Sequence, residues 1–133
     1  MTGKQYDEKI KERGKAGEKY ICTYLAKNGY NIICTNYSSR YGEIDVIAEN
    51  ESVIAFVEVK TRKPNSLASG LESITSSKLK KFIKTAADYL AKHNTDKQPR
   101  IDCVQIIMSD DNSVVDLKYI ENAVDDWSGY LKF

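Results

Sequence analysis

The sequence of 133 residues predicts one α/β domain, residues 1–133, with a mixed central sheet flanked by helices. Two observations carry this. The apolar patterns follow the order α-β-β-β-α-β-β along the chain. The run SVIAFVEVKT, residues 52–61, is apolar at almost every position, as a central strand buried on both faces should be.

The first helix is expected over residues 5–28, where Tyr6, Ile10, Gly14, Gly17, Ile21 and Leu25 recur at helical spacing and Asn28-Gly29 is a stop signal. Gly14 and Gly17 weaken it by roughly 1 kcal/mol each but allow close approach to its backbone. Tyr30 to Thr35 is a short strand, and Asn36 to Gly42 is polar and expected to be a loop. EIDVIA (43–48) and the 52–61 run form a hairpin across the polar Glu49-Asn50-Glu51 link. Residues 62–72, with Pro64, Ser66, Ser69 and Gly70, are expected to be a loop. In the second helix, Leu79, Phe82, Ile83, Ala86 and Leu90 form one stripe among Lys78, Lys80, Lys81 and Lys84. Residues 94–100 are a loop, and strands follow at Ile101–Met108 and Val114–Ile120 around an Asp110-Asp111-Asn112 turn. The aromatic tail, 121–133, is expected to be partly helical around 122–130.

Composition removes several function classes. Cys22, Cys34 and Cys103 form no C-x-x-C pair, which argues against a disulfide framework or a thiolate zinc site. The single histidine, His93, has no second histidine with which to share a metal, and is expected at the surface near a helix end. No apolar run approaches the ~18 residues of a membrane span, and the polar, charged N-terminus is no signal peptide. A cytoplasmic protein with reduced thiols, no membrane contact and no organic cofactor is expected. The net charge of +1 excludes a protein that coats nucleic acid by bulk charge. Its distribution is uneven, however: residues 60–100 carry ten basic and three acidic groups, net +7. Residues 20–59 carry two and five, net −3.

Four charged residues do not fit their surroundings. Glu58 and Lys60 lie inside the most apolar strand, two apart and therefore on one face. A buried charge is costly unless paired or bound to a metal. Asp45 sits between Ile44 and Val46, and a two- or four-residue hairpin loop puts it on the face of Glu58, opposite it or one pair removed. Two carboxylates so placed repel unless a cation lies between them. A hard divalent ion accepts one or two carboxylates plus waters, with the Val59 carbonyl as a further oxygen. Lys60 could then orient or help deprotonate a water, or stabilise phosphate charge. Glu18 lies on or beside the apolar stripe of the first helix, a candidate outer-sphere or second-metal ligand. Taken singly, each residue also has a plain reading: a solvated ladder, a turn residue, a stripe edge. The combination is what points to one site.

The motifs Gly42-Glu43-Ile44-Asp45 and Phe56-Val57-Glu58-Val59-Lys60-Thr61-Arg62 resemble the signature of the YraN-like family of small bacterial proteins. Gly14-Lys15-Ala16-Gly17-Glu18, Asn28-Gly29-Tyr30, Asn36-Tyr37, Lys78 and Arg100-Ile101-Asp102 match too, so the resemblance spans roughly residues 10–120. That family is similar in fold to the restriction-endonuclease-like PD-(D/E)xK superfamily and to archaeal Holliday-junction resolvases. The resemblance implies an α-β-β-β-α-β core in which Asp45 is the motif Asp, Glu58 and Lys60 the (D/E)xK pair, and Glu18 the acid of the first helix. It implies Mg²⁺ or Mn²⁺ and phosphodiester hydrolysis. The chain departs from the pattern at Ser38, where the family often has Arg, and in lacking a Pro before Asp45.

The expected function is therefore metal-dependent endonuclease action on DNA, including branched or flapped structures. Asp45, Glu58 and the Val59 carbonyl would hold the ion, Lys60 would position water, and Glu18 would complete the acidic cluster. Arg40, Arg62, Lys63 and Lys78 would contact nucleic acid. Two readings compete with it. One is a nucleic-acid-binding or adaptor protein on the same fold without catalysis. The other is an interaction module or homodimer interface using Trp127, Tyr130 and Phe133, whose plainer reading is that they cap the domain's own core.

Overall fold

A computed structural model describes residues 2–64 and 76–131. The elements are α1 (Gly3–Lys27), β1 (Asn31–Ser39), β2 (Gly42–Glu49), β3 (Val53–Arg62), α2 (Ser76–Lys92), β4 (Gln98–Met108), β5 (Val114–Ile120) and a 3₁₀ turn at Ser128–Tyr130. The strands form one five-stranded sheet in the order β1-β2-β3-β4-β5. Only β3 and β4 are parallel among these neighbours. The predicted mixed α/β sheet is thus present, with β3 at its centre.

The two helices cover opposite faces. Ile21 and Leu25 of α1 pack with Val46, Ala48, Ala55, Val57, Val104 and Ile106. Phe82, Ile83, Ala86 and Tyr89 of α2 pack with Ile44, Ile47, Ile54, Phe56 and Ile101. No helix among the described residues is long and apolar enough to cross a membrane.

Local chemistry sets the ends of α1. Thr2 and Gln5 form a capping box. At the other end Tyr30 N–H donates to the Leu25 carbonyl and Gly29 N–H to that of Ala26. With Gly29 at φ 87°, this is a Schellman stop, as Asn28-Gly29 predicts.

The sequence expectation fails at several boundaries. Residues 36–39 continue β1, whereas Asn36–Gly42 reads as a loop, because the polar residues of an edge strand facing solvent look like loop sequence. β4 begins at Gln98, before the apolar run starts at Ile101. Asn50 pairs with Val53, and its side chain accepts the Ser52 and Val53 N–H groups, so the hairpin loop is Glu51–Ser52. The predicted helix over 122–130 shrinks to the Ser128–Tyr130 turn. Trp127, Tyr130 and Leu131 pack on the α2-side core, and Phe133 lies outside the described residues. His93 is exposed just past α2, stacked on Tyr89.

The two glycines of α1 also differ. A Cβ on Gly17 would stand 2.2 Å from Thr61 Cγ2, whereas one on Gly14 meets nothing within 4 Å. Only Gly17 brings α1 against β3. Gly17→Ala should destabilise the protein by about 1–2 kcal/mol, overpacking outweighing helix propensity. Gly14→Ala should stabilise it by up to about 1 kcal/mol. Thermal melts of the two variants shifting in the same direction would contradict this contact.

Candidate active site

The site begins where β2 and β3 part. Their pairing runs from Glu49↔Ile54 to Val46↔Val57. At the next position Asp45 Oδ2 accepts the Val59 N–H at 2.8 Å, so a side chain takes the place of a ladder carbonyl. The side-chain alternation of β2 slips here as well. Ile44 and Val46, two apart, should share a face. Instead Ile44 packs in the α2-side cluster and Val46 in the α1-side cluster. On β1, Asn36 lies between the pairs Thr35↔Val46 and Tyr37↔Ile44 and has a left-handed backbone, φ 54°. Asp45 therefore does not simply share the face of Glu58, as strict alternation predicts. It fills a fork between the strands and reaches acids from both layers.

From the α2 side comes Glu58, whose carboxyl hydrogen-bonds Asp45. Lys60 Nζ is 3.2 Å from Glu58 Oε1, with about a quarter of each side chain exposed (27% and 23%). From the α1 side comes Glu18, whose Oε2 accepts a 3.3 Å hydrogen bond from Asn36 Nδ2 and which also hydrogen-bonds Asp45. Gly17 sets this approach by seating α1 on Thr61, next to Lys60. The residue to which sequence reasoning assigned no role is Asn36; it stands in the matching Asn36-Tyr37 motif, and its physical signal is that Asn tolerates left-handed backbone.

The electrostatics follow from three acids around one point. Burial pushes the Glu58 carboxyl up to about 7, the charge of Asp45 adds to this, and Lys60 opposes it. Burial also raises Asp45, against the Val59 N–H, Glu58 and Lys60. Burial and the Asp45 charge raise Glu18. Burial and the neighbouring Asp45 charge thus favour the protonated form of Glu58. Raised carboxyl values of this kind mean that the folded protein binds protons more tightly than the unfolded chain. The burial cost of Glu58 is absent below its ordinary 4.5 and complete above about 7. The metal-free protein should accordingly lose about 2–3 kcal/mol of stability over that interval. Glu58→Gln should raise the metal-free melting midpoint by several degrees at pH 8 and hardly change it at pH 4. Parallel pH profiles for the two proteins would contradict the raised Glu58 carboxyl.

The oxygen donors suit a hard divalent ion with limits. Residues in extended strands point N–H and C=O to the same side, so the Val59 carbonyl opens into the fork beside Asp45. Two carboxylates and a carbonyl, completed by water, match what Mg²⁺ accepts from a protein. Among the described residues, however, no group of three or more His, Cys, Asp or Glu side chains is arranged to hold a metal ion.

The flanking cations are dispersed. Lys78 lines a cleft of about 250 Å³ together with Glu58 and Lys60. Arg40, at the β1–β2 tip, lies over the Tyr41 ring at 4.9 Å from its centroid and donates to its hydroxyl. Arg62 ends β3 two residues beyond Lys60. Lys63 points to the β4–β5 turn, 3.6 Å from Asp110, and is not gathered at the site.

The profile of the uncharacterised protein family UPF0102 matches residues 17–106, which include all four acidic and basic site residues. The chain belongs to this family. UPF0102 is the YraN-like family, and its fold is restriction-endonuclease-like. A UPF0102 protein of Dichelobacter nodosus is 47% identical over 83 residues, 62% of this chain and 66% of that protein. One from Sulfurihydrogenibium is 44% identical over 96 residues, 71% and 84% of the two chains. One from Clostridium acetobutylicum is 39% identical over 114 residues, 85% and 93% of the two chains. These names describe a family and no activity, so the UPF0102 chain's chemistry rests on the fork itself.

Proposed function

We propose that this UPF0102 protein is a metal-dependent endonuclease that hydrolyses DNA phosphodiester bonds, with branched or flapped DNA as its substrate. The observation that supports it is the meeting of Asp45, Glu58 and Lys60 at a break in the β2–β3 ladder. Asp45, Glu58 and the Val59 carbonyl would hold Mg²⁺ or Mn²⁺. Bound there, the ion would polarise a phosphate oxygen and make a water acidic at neutral pH. Lys60, the cation beside Glu58, positions the attacking water and offsets charge developing on the phosphate. Glu18 steadies Asp45 from the opposite layer. Lys78 and Arg40 hold neighbouring phosphates, and binding weakens with salt.

The test mixes the protein with branched, flapped and linear DNA and Mg²⁺ or Mn²⁺, with EDTA as control. Cleavage is expected with metal only, and is expected to be lost in both Asp45→Ala and Lys60→Ala. Cleavage that survives both substitutions would refute the assignment. A second reading is nucleic-acid binding on the same fold without catalysis. Calorimetry showing no uptake of Mg²⁺ or Mn²⁺ at millimolar ion would favour it.

A further inference from the structure

The cleft beside Glu58 and Lys60 has an apolar wall that a phosphate backbone does not use. Its wall is built from Leu79, Phe82 and Cys103, with Ile101 beneath them, while Lys78 and Lys81 stand on its α2 side. Phe82 and Cys103 are almost buried, at 7% and 4% exposure, and Leu79 is half-buried at the rim. At about 250 Å³ it is smaller than the ~300–1,000 Å³ pockets that take drug-sized molecules. It has room for one flat ring system.

Paired bases in a duplex are stacked inside the helix and present charged backbone to a protein. An apolar hollow gains nothing from that backbone. A nucleotide outside a duplex offers a π-face for apolar and aromatic side chains, and its phosphates suit flanking lysines. Glu58 and Lys60 border the same hollow, so a base lodged in it belongs to a nucleotide adjoining the phosphate at the fork.

We propose that this cleft holds one unpaired nucleobase next to the cleaved phosphate, which makes the substrate a strand with at least one unpaired nucleotide at the cut. The proposal rests on the nuclease reading above and names its substrate class. The apolar wall stacks on any base, and Glu43 and the Gly42 backbone at the rim are the groups placed to read a base edge.

Binding is measured first in EDTA, apart from cleavage, with three DNAs of equal length: a duplex, a flapped duplex, and the same flap with an abasic site replacing the first unpaired nucleotide. The intact flap should bind about tenfold more tightly than the other two. A 2-aminopurine at that nucleotide should change fluorescence on binding. Leu79→Glu, at the half-buried rim, should reduce flap affinity to the duplex level, with some loss of stability because Leu79 also packs on the α2-side core. The abasic flap probes the cleft without altering the protein, so a misfolded variant does not spoil the test. Equal binding of intact and abasic flaps would overturn the cleft assignment, and the nuclease reading would then stand or fall on the cleavage assay alone. Absence of binding to all three DNAs in EDTA and in Ca²⁺ would overturn both.

Discussion

Lys60→Met lowers DNA cleavage by about 10²–10⁴-fold and leaves Mn²⁺ binding close to wild type. This result is expected because Lys60 contributes no oxygen to the ion site. Its ammonium sits 3.2 Å from Glu58 Oε1, on the open side of the fork. Asp45→Asn should remove both cleavage and Mn²⁺ uptake, since Asp45 carries one of the two carboxylates and also fixes Val59 through a 2.8 Å hydrogen bond. Lys60→Arg keeps the charge but replaces a compact ammonium with a planar fork, and should recover little of the rate. The pair of measurements separates holding an ion from using it. If Lys60→Met lost Mn²⁺ binding to the same extent as Asp45→Asn, the lysine would be a structural part of the site and not a positioning residue for water. If it cut at the wild-type rate, the mechanism would be wrong.

Asp102→Ala destabilises the fold by about 3–5 kcal/mol, the largest stability effect expected outside the apolar core. Asp102 is fully buried. It accepts Arg100 Nε and Nη2, each at 2.8 Å, the Tyr119 hydroxyl at 2.6 Å and the Asn122 N–H at 3.0 Å. Arg100 in turn donates to the Tyr30 hydroxyl at 2.6 Å. Burial and the charge of Asp102 push the Tyr119 phenol well above its ordinary range. This network ties β4 to β5 and to the turn after α1. Removing the carboxylate leaves a guanidinium with 14% exposure and no compensating charge from Asp102. A paired Arg100→Met and Asp102→Leu replacement should recover a large share of the loss, because removing both charges avoids the stranded one. Urea melts decide the matter: a loss below about 1 kcal/mol in Asp102→Ala would show that the network is not a structural anchor.

How much of this was readable from sequence differs by residue. The central strand and the β2–β3 register up to Val46↔Val57, which brings Asp45 near Glu58, follow from an apolar run and a short loop, because antiparallel register is a counting problem once the loop is fixed. The fork is not readable. Ile44, Asp45 and Val46 look like ordinary alternation, and the slip depends on Asn36 in a neighbouring strand and on the pull of the Val59 amide. Gly14 and Gly17 look equivalent along the helix, and only the position of Thr61 separates them. Arg100 falls in the expected 94–100 loop, so its place beside Asp102 on one face of β4 is not readable, and their burial depends on Tyr30 and Tyr119, which arrive from distant parts of the chain. The tail reads as partly helical because aromatic residues that cap a core mimic a periodic stripe over so short a segment, while the structure has only the Ser128–Tyr130 turn.

The break in the β2–β3 ladder has one further consequence, for spectroscopy. The Val59 amide hydrogen is held by a carboxylate at 2.8 Å rather than by a strand carbonyl. A carboxylate that gains a proton or a cation weakens as an acceptor, so this one amide resonance should move when the acid cluster changes its occupant, while amides in the intact ladder at Ala48 and Ala55 remain still. The backbone of β3 thus carries its own reporter, which can follow occupancy of the fork without a substrate and without any added label beyond ¹⁵N.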